Sequence, residues 1–260
     1  MSNESKQRAQ SFSAAFAAIR ASQHVTVLTG AGMSADSGIP TFRDALTGLW
    51  ERFDARALAT PEAFRRDPDT VWGWYEWRRM SVFDAEPNAG HRALAELVGL
   101  VERVSVLTQN VDDLHERAGS VNVVHLHGSL NAARCFACAR PHPLPPGRPD
   151  EPAEGRRLRP PTCSHCGGRV RPGVVWFGEP LPADVWAQAE HAVRDGDVLL
   201  VIGTSGLVYP AAGLPAMALR QGKPVIVINP DVSSTGDGPE IRLQGRAGEI
   251  LPAVLAAMRS

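Results

Sequence analysis

The run His24-Val25-Thr26-Val27-Leu28-Thr29 breaks off abruptly at Gly30-Ala31-Gly32-Met33-Ser34. A short apolar, β-branched run stopped by glycine reads as a buried strand that ends in a tight turn. Residues 104–108, 197–202 and 224–229 have the same character, and helical patterns lie between and around them at about 89–101, 183–194, 210–221 and 247–258. Strands alternating with helices predict a parallel α/β sheet covered on both faces. Phe12, Ala15, Phe16 and Ile19 recur at helical spacing, so an amphipathic helix is expected ahead of the first strand.

A glycine-rich turn after such a strand lets backbone N–H groups close on the phosphates of a dinucleotide. Gly30 and Gly32 supply the first two glycines of that fingerprint, and Ala35 takes the third position. The acidic residue expected about 20 positions on is missing, because that stretch reads Leu49-Trp-Glu-Arg-Phe-Asp54. The turn alone leaves dinucleotide binding open; the tail Ser37-Gly-Ile-Pro-Thr-Phe-Arg43 strengthens it.

Two segments break the strand-helix rhythm. Residues 45–85 are aromatic-rich and read as helical, with Thr60 placed to cap a helix that starts at Pro61. Residues 129–170 hold all four cysteines and a Pro-rich, charged stretch from Pro141 to Pro161 that can be neither regular helix nor central strand. These read as two insertions forming a smaller second lobe.

Of the 260 residues, 43% are hydrophobic, and the formal charge is -1. Near-neutral charge gives no electrostatic case for nucleic acid. No stretch approaches the roughly 18 apolar residues that cross a bilayer, and the polar start Met-Ser-Asn-Glu-Ser-Lys is no secretory signal. The cytoplasm is the default compartment, where cysteines stay reduced and need another purpose. Cys135-x-x-Cys138 and Cys163-x-x-Cys166, with 24 residues between the pairs, come close to the spacing of a four-thiolate zinc ribbon, with Gly167-Gly168 supplying a turn beside the second pair. Four thiolates close the coordination sphere, so the expected metal is structural.

Thr108-Gln109-Asn110-Val111-Asp112-Asp113-Leu114-His115 begins at the C-terminal end of a predicted strand, the edge where open α/β sheets place ligands. Asn110, Asp112 and Asp113 could equally form Asx turns or helix caps. Of His125 and His127, at most one is expected to reach a shared cleft, and His127, beside Gly128, is the better candidate. Gly203-Thr204-Ser205 and Asn229 close two further strands with small polar groups suited to phosphate or ribose.

Taken together, Gly-Ala-Gly-Met-Ser with Gly-Ile-Pro-Thr-Phe-Arg, Thr-Gln-Asn-Val-Asp-x-Leu-His, His-Gly, the paired CxxC, Val-Val-x-Phe-Gly-Glu and Gly-Thr-Ser resemble the sirtuins, NAD-dependent protein-lysine deacylases. The resemblance implies a Rossmann-like domain (1–44, 86–128 and 171–260) carrying a lobe made of a helical module (45–85) and a zinc module (129–170). It further implies that Ala31, Gly32, Phe42 and Arg43 line the NAD pocket beside Gly30, that Gln109 meets a ribose, and that Asn110 and Asp112 hold the nicotinamide end. His127 would be the general base, acting with Asn110. Ser205, Asn229 and Ala247, beside Gly203 and Thr204, would meet the phosphates and adenosine. An acyl-lysine peptide would pair along Val174 to Glu179, with Val175, Phe177 and Gly178, and along Gly206 to Tyr209.

On a helix, Tyr75 and Arg78 share a face and can aim a hydroxyl and a guanidinium at one carboxylate; the bland alternative buries Trp72 and Tyr75 and leaves the arginines in solvent. The Tyr-x-x-Arg spacing resembles the subclass that removes succinyl and related acidic acyl groups, with Ala45 fitting its roomier pocket. Competing readings are a sirtuin-like ADP-ribosyltransferase, a non-catalytic zinc-ribbon adaptor and a conventional NAD dehydrogenase.

Overall fold

The structure is a computed structural model and describes residues 3–40, 51, 54–231 and 238–259. The chain opens with α1 (Asn3–Arg20) and β1 (His24–Thr29), then passes through short 3-10 turns at Ala31–Met33 and Ala35–Ser37. Next come α2 (Ala55–Leu58), α3 (Pro61–Arg66), α4 (Pro68–Asp84) and α5 (Ala89–Leu97), followed by β2 (Arg103–Thr108), α6 (Leu114–Arg117) and β3 (Val123–His125). A ribbon of β4 (Gly128–Cys135) and β5 (Val170–Val174) precedes α7 (Ala183–Asp195), β6 (Val198–Ile202), α8 (Leu214–Arg220), β7 (Val225–Asn229), β8 (Ile241–Gln244) and α9 (Ala247–Arg259).

Six strands form one parallel sheet in the order β3-β2-β1-β6-β7-β8, a Rossmann-like arrangement. β1 and β6 are buried along their whole length, as expected of strands covered on both faces. One face carries a core that joins Ile19 of α1 and Leu94 of α5 to Leu251 of α9; the other packs Val193 of α7 and Leu214 of α8 against Leu28, Leu107 and Leu199. The order reverses between β1 and β6, and ligands bind at such a switch point beyond the strand C-termini.

Some sequence expectations need adjusting. β8 was not foreseen, since four residues of mixed polarity carry little periodic signal. The helix expected over 89–101 ends at Leu97, where the chain turns with Gly99 N–H on the Glu96 carbonyl. The helix expected from 210 begins at Leu214, after a 3-10 turn at Ala211–Gly213. No α-helix follows Gly30 directly, so a phosphate there would meet backbone of a 3-10 turn rather than a helix end.

The remaining segments pack around a second core centred on Trp74, Phe64 and Trp176. Thr60 caps α3 by accepting from Ala63 N–H at 3.1 Å, with Pro61 in the first turn. α4 is buried nearly all round: Arg79 and Glu76 form an enclosed ion pair at 2.8 Å, and the Arg78 guanidinium lies 5.0 Å from the Trp74 ring centre. Of the bland alternative for this helix, Trp72 and Tyr75 are buried as it requires, but Arg79 is buried as well and Arg78 is half-buried rather than in solvent.

Candidate active site

A cleft of about 400 Å³ opens between the sheet's C-terminal edge and the second core. Its floor is built where β1 meets β6. Gly32 N–H donates to the Gly203 carbonyl at 2.8 Å, and a Cβ on Gly32 would stand 2.8 Å from Gly203 Cα. The first demand on glycine here is thus the close approach of two strand ends. Gly203 itself sits at φ +60, with Met33 N only 2.4 Å from where a Cβ would be.

Short neutral side chains lock the floor. Gln109 Nε2 donates to Thr204 Oγ1 at 3.0 Å, and Asn229 Nδ2 donates to the Thr204 carbonyl at 3.0 Å. Asn110 Nδ2 donates to Ser34 Oγ at 3.0 Å, which in turn donates to Asp112 Oδ2 at 3.0 Å. Asp112 Oδ1 also accepts from Leu114 N–H at 3.2 Å, so Asp112 starts α6 and faces the cleft at once. Burial raises the Asp112 pKa against the pull of those two donors.

The two histidines diverge because β3 ends at His125 and the chain turns through Leu126 and His127 before β4. His125 donates from Nδ1 to the Asn110 carbonyl at 3.2 Å and from Nε2 to the Glu116 carboxylate at 2.6 Å. Burial opposes its charge, but Glu116 outweighs burial and its pKa rises. His127 lines the cleft and donates from Nδ1 to the Gln109 carbonyl at 3.0 Å. A carbonyl can only accept, so the neutral ring of His127 keeps its lone pair on Nε2. Burial lowers its pKa, with the Gln109 carbonyl acting against the shift.

The opposite wall comes from 174–179 and α4. Arg171, 3% exposed, grips the Glu179 carboxylate with two nitrogens, donates to the Val174 carbonyl and lies 3.4 Å over the Trp176 ring. Sequence reading passed over this clamp, and also Ser34; an arginine and a glutamate eight residues apart carry no local signal. Val175 N–H donates to the His127 carbonyl and Phe177 N–H to the Ala59 carbonyl. A substrate backbone running here must therefore pair with carbonyls of this segment rather than with those N–H groups.

Tyr75 and Arg78 both line the cleft. Tyr75 is buried, its oxygen accepts from Trp176 Nε1 at 3.0 Å, and burial pushes its pKa up to about 12, keeping the hydroxyl a donor. Burial lowers the Arg78 pKa, while Tyr75 and Asp112 favour its charge.

Gly30, Ala31, Gly203, Ser205, Phe177 and Gly178 also line the cleft. Ala247 does not: its side chain lies in the sheet's core at the start of α9, so only its backbone can reach a ligand. Phe42, Arg43 and Ala45 fall outside the described residues.

The four cysteine sulfurs lie within 4.8 Å of one another at the ribbon's far end. Cys135 and Cys166 sulfurs are 3.5 Å apart, Cys138 and Cys163 3.8 Å; a tetrahedral zinc with bonds of about 2.3 Å requires about 3.8 Å between sulfurs. The Cys138 N–H lowers Cys135 to about 6, whereas neighbouring sulfurs push Cys166 up to about 12 despite the Gly168 N–H. Four such thiols ionise together only around a cation, and the site fits one zinc ion.

A family profile described as "Sir2 family" matches residues 30–210. An NAD-dependent protein deacylase of Methylococcus capsulatus is 54% identical over 243 residues, covering 94% of this chain and 95% of that one. A crystal structure of a Sir2 homolog-NAD complex is 44% identical with a TM-score of 0.85, covering 95% of this chain and 93% of the other. A Sir2-p53 peptide-NAD+ structure is 28% identical with a TM-score of 0.76, covering 94% and 97%. The fold and cleft define a Rossmann-like enzyme with a zinc-held second lobe. The chain belongs to the Sir2 family.

Proposed function

We propose that this chain is an NAD-dependent protein-lysine deacylase that removes acetyl and also succinyl or malonyl groups, giving nicotinamide and O-acyl-ADP-ribose. The observation that carries the reading is His127, neutral, with its free Nε2 in the same cleft as the Asn110-Ser34-Asp112 chain. The floor suits NAD: amides, hydroxyls and backbone offer neutral donors and acceptors to phosphate and ribose, with Gln109, Asn229, Thr204 and Ser205 along one side. Bound there, NAD supplies a labile nicotinamide bond and an ADP-ribose to receive the acyl group.

Asn110 and Asp112 hold the nicotinamide end, fixed by Ser34 so that orientation is set before binding. His127 Nε2 withdraws a proton from a ribose hydroxyl, and its Nδ1–H on the Gln109 carbonyl holds the ring in the tautomer that can do so. The wall of 174–179 and the exposed Leu207 and Tyr209 receive the peptide.

Acyl preference rests on Tyr75 and Arg78, a donor hydroxyl and a guanidinium reaching one cleft from one helix. A distal carboxylate would be held by both, displacing the influence of Asp112 on Arg78. The test is turnover of one lysine peptide carrying acetyl or succinyl, with wild type, Tyr75→Phe and Arg78→Met. Succinyl turnover should collapse in both variants while acetyl turnover survives. Equal losses on both peptides would remove the pair from substrate selection.

A further inference from the structure

The Pro-rich stretch between the two cysteine pairs takes no part in the deacylation chemistry, yet it lies against the helix that carries Tyr75 and Arg78. An α-helix turns by about 100° per residue, so Tyr75, Arg78 and Val82, which line the cleft, share one face of α4. Asp69, Gly73, Trp77 and Asp84 share the opposite face, and residues 148–158 run along it antiparallel to the helix. Leu158 N–H donates to the Asp69 carbonyl at 3.0 Å, and Trp77 Nε1 donates to the Ala153 carbonyl at 3.0 Å. Arg148 forks onto the Asp84 carboxylate at 2.6 and 2.8 Å.

The tightest point of this contact is in the middle. A Cβ on Gly73 would stand 2.1 Å from the Arg156 carbonyl oxygen and 3.0 Å from Leu158 N, where ordinary contact begins at 3.4 Å. Glycine weakens a helix interior relative to alanine, so the reason for it in α4 is this approach of a second backbone. Residues 148–158 are themselves braced. Arg156 holds the buried Glu151 carboxylate with Nε at 2.8 Å and Nη2 at 3.2 Å, and Gly155 N–H closes a turn on the Pro152 carbonyl at 2.9 Å. Buried Trp72 completes the attachment, packing with Leu144 and Leu158 against Ala133 and Val170 of the ribbon. The Arg148-Asp84 pair is solvent-exposed and adds little, so the backbone contact at Gly73 and the packing of Trp72 dominate.

We propose that residues 148–158 are a strap that sets the depth of α4 in the cleft wall, and with it the reach of Tyr75 and Arg78 toward an acyl group. Gly73 fixes the spacing. A Cβ there forces strap and helix apart by about 1 Å, and a misplacement on that scale costs up to about 100-fold in turnover. Gly73 is a positioning residue, acting through the helix it sits in, and its effect on selectivity rests on the acyl reading of Tyr75 and Arg78.

Turnover of Gly73→Ala on the acetyl and succinyl peptides tests the strap. Alanine is the better helix former, so α4 itself is not weakened. Succinyl kcat/KM should fall roughly 10- to 100-fold and acetyl kcat/KM less than about 3-fold, because only a distal carboxylate needs both donors in place. KM for NAD should not change. Equal losses on both peptides, the mark of a merely structural role, or an unchanged ratio overturn the proposal. Trp77→Phe gives the same test if Gly73→Ala fails to fold: it removes the donor to Ala153 and should lower the succinyl-to-acetyl ratio roughly 3- to 10-fold. Amide hydrogen exchange needs no activity. In Trp77→Phe, exchange should speed up both in 148–158 and in 75–82 of α4; a strap that opens while 75–82 keeps wild-type protection overturns the proposal. A wild-type chain that turned over acetyl but not succinyl peptide would sink the acyl reading, and the exchange of 75–82 would still decide whether the strap holds α4.

Discussion

The floor and the wall of the cleft are held by different means. The floor is a set of short neutral side chains bonded to one another at the ends of a six-stranded sheet: Gln109 to Thr204, Asn229 to Thr204, Asn110 to Ser34. The wall is aromatic and charged, with Arg171 spread between Glu179 and Trp176, and hangs on a two-stranded ribbon. That ribbon pairs Gly128 with Val174 beside the cleft and Cys135 with Val170 beside the cysteines, some 20–25 Å away along eight residues of strand. A metal at the cysteines therefore governs the wall at a distance, and the sheet governs the floor directly. In the proposed function, one region would read the common part of the substrates and the other the variable part.

Metal removal should break that comparison most severely. Zinc in four-thiolate sites contributes on the order of 10 kcal/mol to folding, more than a lobe of this size can spare. Chelation, or Cys138→Ser, should abolish peptide turnover and loosen the aromatic core around Trp176, while the parallel sheet persists by far-ultraviolet circular dichroism. Full activity after complete zinc loss, checked by metal analysis, would show that the ribbon stands unaided.

His127 sits at the seam, bonded to the floor through Gln109 and leading straight into β4. His127→Ala should cost about 100- to 10,000-fold in turnover, with NAD still raising the melting temperature. Because the active form is neutral and burial lowers its pKa below 6.5, protonation removes activity only as pH falls through that lowered value. The acid limb of kcat/KM should lie below pH 6.5; a limb above 7 would place the essential base elsewhere.

The floor should also set the acid stability. His91 and His115 have pKa values of about 4 and about 3 when folded, from burial, against about 6.5 unfolded. Between pH 6.5 and about 4 the unfolded chain binds protons that the native rings refuse. Stability therefore falls as pH falls through that window, by up to about 2.7 kcal/mol per pH unit for two such groups, and the contribution levels off below the folded values. Urea titrations at pH 7 and pH 5 measure it, and a His91→Asn, His115→Gln variant should flatten the slope.

The two regions were also unequally legible. β1, β2, β6 and β7 announce themselves because strands buried on both faces are continuous apolar runs, and the cysteine spacing states its purpose locally. Gly128 and the approaching cysteine segment mark out His127 rather than His125, and His127 is the one that lines the cleft. What stayed hidden depends on meetings across the fold: Gly32 against Gly203, Arg171 over Trp176, the burial of Arg79 on Glu76, and β8, whose four residues pair only because β7 offers an open edge. Local sequence reports periodicity and spacing, and it is silent on which distant groups share a bond.

The smallest effect is the sharpest probe of the wall. Tyr75 accepts the indole N–H of Trp176 while lining the cleft, so Tyr75→Phe removes both a hydroxyl donor facing the cleft and the acceptor of a buried donor. Leaving Trp176 Nε1 unpaired should cost about 1–3 kcal/mol, seen as a lower urea midpoint with unchanged slope. Replacing both partners, as Tyr75→Phe with Trp176→Phe, should recover part of that loss only if the bond itself is the cause, since a buried donor no longer stands alone. Acetyl turnover then separates the two roles of Tyr75. If Tyr75→Phe loses stability and keeps acetyl turnover, the wall's shape tolerates the change and the hydroxyl's part in turnover is confined to the acidic acyl group. Equal loss of acetyl turnover would instead make the Tyr75-Trp176 bond a support for the whole wall, and the division between a fixed floor and a selective wall would have to be redrawn at α4.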